Sequence, residues 1–309
     1  MGKGNILAPL ERIENIEQRL VNNNLLINSN FKNPVNQRGV TTLGDGTLGY
    51  WLDRWRLTLP KGKATLNEEY ISLTLTKSGL YVELEQLGEF PEQYLGKTVT
   101  LSMKARIPVG AKVKLRLLNL MKDNSSEREE VVIEGTGEWE VNKVTMTFNG
   151  LDSQHLRLAD IVFCEDWSET SGYKEATKDY TLDIEWVKAE LGSQATPYVP
   201  RLYAEELQLC KRYYQVISYQ GSGVVVAGNI AKVVVDFPVE MRVAPTVSIP
   251  EVLTEGLFIL GTAFMTPTNI TAYNYSKNAI FFWIKIDEDG YVGQIASIGK
   301  IKIGLDAEL

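Results

Sequence analysis

Between residues 25 and 200 the chain alternates apolar and polar residues in one run after another, a period of two that favours antiparallel sheet. Ile71, Leu73 and Leu75 alternate with Ser72, Thr74 and Thr76. Val99, Leu101, Met103, Ala105 and Ile107 alternate with Thr98, Thr100, Ser102, Lys104 and Arg106. Val113, Leu115 and Leu117 alternate with Lys112, Lys114 and Arg116, and Val144, Met146 and Phe148 with Thr145 and Thr147. A sheet with one apolar face buries it against a second sheet. Strands at this spacing, with Gly-rich turns, predict a sandwich or jelly roll.

The pattern changes at one junction. Leu182, Ile184 and Trp186 alternate with Thr181, Asp183 and Glu185, and then the apolar phase moves to Val187, Ala189 and Leu191. That shift predicts a bulge or a strand buried on both faces. Gly192 and Ser193 end the strand, and Pro197 and Pro200 hold their predecessors extended. From Tyr203 the period becomes helical: Tyr203, Leu207, Cys210 and Tyr214 fall on one stripe. Glu205 and Glu206 open this helix and Lys211 and Arg212 close it, as its dipole favours. The stripe faces either its own domain or a partner copy.

Residues 215–309 return to β patterning. Val233, Val235, Phe237, Val239 and Met241 alternate with polar or small residues, and Ile280, Phe282, Ile284 and Ile286 form another strand. Tyr273, Tyr275, Phe281 and Trp283 occupy the opposite faces, an arrangement that suits burial between subunits. At the other end, Ile6, Ile13 and Leu20 repeat every seven residues, and Ile16 adds a second seam position. The seam residues Ile13, Ile16 and Leu20 suit either the end of a stalk or an amphipathic leader. The expected fold is mainly β: a short N-terminal helix (1–24), a jelly-roll sandwich (25–200), a linking helix (201–214) and a C-terminal sandwich head (215–309).

Composition narrows the functional classes. Apolar residues make up 44% and charged residues 23%, as in soluble globular proteins. The net charge is −7 and no Lys/Arg run stands out, which argues against nucleic acid as a partner. The opening MGKGNILAPL has no long apolar region of the signal-peptide kind. No apolar run is long enough for a helical membrane span, so membrane insertion is not expected. Cys164 and Cys210 fall in different expected domains and read as free buried thiols.

The stretch WVKAELGSQATPYVPRLYAEELQLCKRYYQ, from Trp186 to Gln215, resembles a junction in tail-fibre and receptor-binding proteins of bacteriophages, prophages and phage-tail-like bacteriocins. Phe237–Val247 and the terminal Leu305–Leu309 resemble the head domain of phage fibres. Tyr50-Trp51-Leu52-Asp53-Arg54-Trp55 resembles a structural aspartate-arginine-tryptophan signature of these proteins. Asn24–Phe31 and Leu182–Leu191 resemble the first and last strands of jelly-roll carbohydrate-binding modules. The resemblance implies a homotrimeric host-attachment protein that contacts a bacterial surface glycan or receptor and joins other tail or virion proteins through its N-terminus. It implies synthesis in the host cytoplasm and residence in the virion. In the resembling fibres the linking helix lies near a three-fold axis. Some of the modules hold a structural calcium near the sandwich ends, where Asn28, Asn30 and Asp183 are the nearest oxygen donors here. No other cofactor is implied.

Ligand candidates are aromatic. Trp51 invites a sugar-stacking reading, with core packing as the alternative. Trp167 and Tyr173 lie in the polar stretch Cys164–Tyr180, which reads as a long loop on a rigid sandwich. Tyr273 and Tyr275 are further candidates, and Trp283 reads as an interface residue. Nothing assembles into a catalytic frame. His155 is the single histidine, no G-x-S-x-G elbow is present, and the acidic pairs Glu129-Glu130 and Glu205-Glu206 are adjacent, so their side chains diverge. The expected protein is therefore not an enzyme. Three other readings share parts of the pattern: a baseplate or head-fibre component without a receptor role, a wall or capsule glycan hydrolase, and a carbohydrate-binding module of a larger enzyme.

Overall fold

The computed structural model describes residues 24–150, 153–249, 257–259, 263–265, 267–273, 276–286 and 290–308. Ile13, Ile16, Leu20 and Tyr275 lie outside the described residues. The chain divides into two compact units, Met1–Glu206 and Leu207–Leu309.

The first unit begins its strands with β1 (Thr42–Leu43), β2 (Thr47–Tyr50), β3 (Arg56–Leu59), β4 (Gly62–Leu66) and β5 (Ile71–Leu75). β6 (Val82–Leu87), β7 (Thr98–Arg106), β8 (Lys112–Met121), β9 (Ser126–Glu134) and β10 (Trp139–Thr147) follow. β11 (Ser153–Cys164), β12 (Trp167–Ser168), β13 (Gly172–Tyr173) and β14 (Tyr180–Leu191) complete it. Two six-stranded antiparallel sheets result, ordered β1-β4-β5-β14-β7-β10 and β2-β3-β6-β11-β8-β9. Their inner faces share one core in which Leu73, Leu101, Leu115, Phe163 and Ile184 are buried, the sandwich that period-two patterning expects.

The expected phase shift in the closing strand is real: the β14 register against β7 slips between Ile184 and Trp186. Asn24–Phe31, by contrast, is not a regular strand. It follows β14 through Leu25 N to Ala189 O (2.7 Å), Val187 N to Ser29 O (3.1 Å) and Phe31 N to Glu185 O (3.0 Å). Asn28, at φ 60°, breaks the extended run. Asn tolerates this left-handed conformation better than most residues. Its side chain secures the bend, donating to Val35 O and Asp53 O (both 2.8 Å) and accepting from Val35 N (2.6 Å).

The helix α1 (Tyr203–Lys211) is shorter than the 201–214 stretch read from the sequence. Tyr214 does not continue it but opens β15 (Tyr214–Ala227). The second unit continues with β16 (Ile230–Asp236), β17 (Thr246–Ser248), β18 (Leu257–Ile259), β19 (Ala263–Met265), β20 (Pro267–Tyr273), β21 (Ala279–Ile286) and β22 (Ile295–Asp306). These join into one eight-stranded sheet, ordered β19-β18-β22-β15-β16-β21-β20, with β17 also paired to β22. One face carries the core, built on Val233, Val235, Phe282, Ile284, Ile303 and Leu305. No helix among the described residues is long and apolar enough to cross a membrane.

Candidate functional site: a charged sheet face beneath an aromatic hairpin

A sandwich strand ordinarily turns its polar face to water. On the outer face of β2-β3-β6-β11-β8-β9 the charges instead face one another across the strands. Arg56 lies opposite Glu85, Glu85 opposite Asp160, Asp160 opposite Arg116, and Arg116 opposite Glu130, a single row across five strands. Lys114 and Glu83 flank the next row, either side of Val162. Asp160 is 0% exposed, Glu85 1% and Lys114 2%.

Burying charge in this way costs several kcal/mol per ion unless every group is paired. The pairing here is dense. Arg116 reaches Asp160 (2.8 Å) and Glu83 (3.0 Å), and Arg157 reaches Glu83 (2.9 Å), Glu85 (2.9 Å) and Asp160 (3.2 Å). Arg56 holds Glu85 at 2.5 Å and Lys114 holds Glu130 at 3.1 Å. Glu85 and Asp160, like charges directly opposite, are tolerable because Arg157 bridges them. Burial, reinforced by the charge of Asp160, pushes the Glu83 carboxyl up to about 7. Arg116 Nε and Glu130 Oε2 are buried without a hydrogen-bond partner among the described residues.

The stretch Cys164–Tyr180, read from the sequence as a loop, contains a small hairpin over this face. β12 and β13 pair Trp167 directly with Tyr173 and Ser168 with Gly172. Glu169, Thr170 and Ser171 make the turn, and Gly172 supplies the left-handed φ of 70° that such a turn requires. Ser168 Oγ receives the Ser171 N–H at 3.1 Å. Asp166 anchors the base: it accepts from Trp167 N (2.9 Å) and pairs with Lys112 (3.0 Å) and Lys174. The bond from Lys174, with that from Lys112, holds the Asp166 carboxyl well below the usual range.

The two aromatic candidates therefore meet at one place. Lys114 Nζ sits 3.4 Å from the Trp167 ring centroid and 5.9 Å from that of Tyr173. Tyr173 packs on Tyr81 at 4.9 Å, and burial pushes its hydroxyl up to about 12. All three rings are half-buried, so each keeps surface available to a ligand. Buried Cys164 is raised to about 11, chiefly by desolvation, and is a packing residue rather than a reactive thiol. The site joins rings for stacking to donors and acceptors in quantity, the chemistry that suits a polyhydroxylated ligand.

The other candidates lie elsewhere. Trp51 is fully buried, its Nε1 bonded to Val40 O at 3.1 Å, so its ring faces are not open for stacking. Asp53 and Arg54 beside it pin the segment: Arg38 pairs with Asp53 at 3.2 Å and Arg54 donates to Leu87 O at 2.8 Å. The calcium candidates are engaged with protein groups. Asn28 is bonded as above, Asn30 Oδ1 accepts from Lys32 N (3.4 Å), and Asp183 is held by Arg106 (2.6 Å) and Ser72 (2.6 Å). No metal-ligating cluster occurs among the described residues.

On α1, Tyr203 is exposed and Leu207 half-buried. Cys210 has no exposed surface and packs inside its own chain, which removes it from any subunit contact. Tyr214 leaves the stripe because it belongs to β15. Tyr273 and Trp283, both over 40% exposed, form a ring pair at 4.7 Å in the second unit. Sequence reasoning missed Glu83, Glu85, Asp160, Arg56, Arg157 and Tyr81. The available signal was charge on the polar face of successive strands, VELEQL and KVKLRL among them.

No protein-family model and no curated relative matches the sequence. The solved structures that the chain is similar to include carbohydrate-binding modules and a phage tailspike. The module TmCBM61, in complex with β-1,4-galactotriose, is 14% identical over 55% of this chain and 99% of that one, with a TM-score of 0.33. The CBM22-1 xylan-binding domain from Paenibacillus barcinonensis Xyn10C is 8% identical over 57% of this chain and 98% of that one, at 0.32. The enzymatically active domain of bacteriophage CBA120 tailspike protein 4 is 11% identical over 54% of this chain and 21% of that one, at 0.31.

Proposed function

We propose that this protein is a non-enzymatic attachment protein of a phage or phage-like particle that binds bacterial-surface glycan, as a homotrimer. The observation that carries the glycan reading is the convergence of Trp167 and Tyr173 on the charged face at Lys114, Glu83 and Arg116. Aromatic rings cover the apolar faces of a sugar, and charged side chains bond its hydroxyls as donors and acceptors. The junction and head segments that resemble phage fibres support the particle context, with the N-terminus toward other virion proteins and the mature protein in the virion. Presentation in several copies strengthens modest single-site affinity through effective concentration.

The same face argues for binding rather than hydrolysis. A glycosidase needs two carboxyls open to the substrate. Glu83 has the raised value of a general acid, but Asp160, whose charge helps raise it, has no exposed surface and is held by two guanidinium groups. It is not presented to a sugar or an attacking water.

The test is a bacterial glycan array probed with the wild-type protein and with Trp167→Ala. Binding to a defined set of glycans, lost in the variant, supports the reading. Equal signals from both proteins would remove the site, and release of reducing ends from any bound polysaccharide would replace binding with hydrolysis.

A further inference from the structure

The outer face of the second unit's sheet carries an apolar patch. Val224, Val226, Val234, Tyr273, Trp283 and Ile295 all turn away from the core, and each is between 41% and 49% exposed. They are neighbours, not scattered. Ile295 lies opposite Val224, Val224 opposite Lys232, and Lys232 opposite Trp283. One row along, Val234 lies opposite Phe281 and Phe281 opposite Tyr273. Contiguous exposed apolar surface of this kind marks a contact site.

We propose that this face packs against a second copy of this chain. The inference rests on the homo-oligomer in the function proposed above and names its surface; it is independent of the glycan. Three observations choose the occupant. The five strands β22, β15, β16, β21 and β20 span about 19 Å, and β15 from Val216 to Val226 runs about 33 Å. Their product, about 600 Å², approaches the roughly 800 Å² that each partner contributes to an interface of standard size. Aliphatic Val224, Val226, Val234 and Ile295 outnumber the two exposed rings, which suits a protein surface better than a sugar. The face also complements itself in charge, because Lys232 and Asp236 flank Val234 on one strand, both exposed. Around a three-fold axis, Lys232 of one copy can meet Asp236 of the next.

The native mass of the full chain, measured by light scattering across a dilution series, tests this. The expected result is three times 34.7 kDa, the homotrimer. Val234→Lys with Trp283→Lys is expected to return the mass to 34.7 kDa, with an unchanged circular dichroism spectrum, since both positions are exposed. A second variant, Val234→Cys, is expected to form covalent multimers under oxidation, whereas Glu138→Cys, exposed in the first unit, is not. The native thiols are buried and do not contribute. A wild-type mass of 34.7 kDa throughout, a double variant that keeps the multimer, or equal crosslinking of the two cysteine variants would each overturn the proposal. A multimer that binds no glycan removes the glycan reading alone. A glycan-binding monomer removes this proposal and the homotrimer and leaves the glycan reading. A trimer that the double variant keeps removes this surface alone.

Discussion

Trp186 and Tyr198 stack with ring centroids 4.7 Å apart and planes within 5° of parallel. One ring comes from the closing strand and the other from the Pro-bounded connector. The connector is thereby laid back on the sandwich it leaves. Lys188, 1% exposed, pairs with Glu190 at 3.0 Å and donates to Thr196 Oγ1 at 2.5 Å and Pro197 O at 3.2 Å. Arg201 donates to Leu26 O at 2.8 Å and to Asn24 O, and pairs with Glu206 at 2.6 Å. Glu206 in turn accepts from Asn28 N at 2.6 Å. Chain entry at Asn24 and chain exit at Arg201 are thus bonded together at one end of the first unit.

Tyr198→Ala is expected to release this clasp. A half-buried aromatic side chain is lost, at about 2–3 kcal/mol, somewhat below a fully buried one. Limited proteolysis should then cut near Gly192–Pro200 faster than in the wild type, and the urea midpoint of the first unit should fall. Cleavage at an unchanged rate would mean that the stack does not hold the connector.

Trp167→Ala should separate binding from stability. Its ring is half-buried on Lys114, and aromatic truncation at the centre of a contact costs about 2 kcal/mol of binding, or roughly 30-fold in affinity. The hairpin is anchored through Asp166 and the turn hydroxyls, so the protein should stay folded, with its thermal midpoint lowered no more than in Tyr198→Ala. Titration of a glycan hit by calorimetry checks the first part. A variant that binds normally places the ligand elsewhere.

Glu83 should leave a mark on the pH dependence of stability. Its folded value is raised from 4.5 to about 7, so within that window the folded protein holds a proton that the unfolded chain has released. Stability is therefore favoured below the window and declines as pH rises through it. Glu83→Gln fixes the neutral form and should flatten this slope, measured as the urea midpoint at about pH 5 and about pH 8. Glu185 acts in a different range. Burial works against its charge, but bonds from Lys104 and Lys32 hold it below its usual value, so its contribution is lost only in acid. An unchanged slope in Glu83→Gln would show that another group titrates.

Much of this was legible from local pattern. Period-two strands gave the sandwich, the phase change after Trp186 gave the bulge, and a polar stretch on a rigid frame pointed to Trp167 and Tyr173. What was not legible depended on strand order. Glu85 and Asp160 become neighbours only because β11 inserts between β6 and β8, a pairing far apart in sequence. An aromatic beside polar residues, like Trp51, or a cysteine on a helical stripe, like Cys210, looks the same whether it faces the core or a partner, and in both the core claims the side chain. Tyr214 fitted the helical period, but the helix ended at Lys211 and the next apolar run claimed it for the sheet.

Asn28 discriminates between a calcium ligand and a structural amide. Its two amide hydrogens go to Val35 O and Asp53 O, and its oxygen accepts from Val35 N. Asn28→Ala removes three buried hydrogen bonds, each worth about 1 kcal/mol net, and places Ala in a left-handed conformation at about 1 kcal/mol more. The total is about 4 kcal/mol. Asn28→Asp is the sharper variant. A carboxylate is the better calcium ligand, so at a metal site it should preserve or raise the melting temperature in calcium. As an amide replacement it turns an oxygen toward two carbonyl oxygens and should destabilise about as much as Ala. The expected outcome is a large fall in melting temperature for both variants, equal in calcium and in chelator. Recovery of Asn28→Asp by calcium would instead establish a cation at this bend.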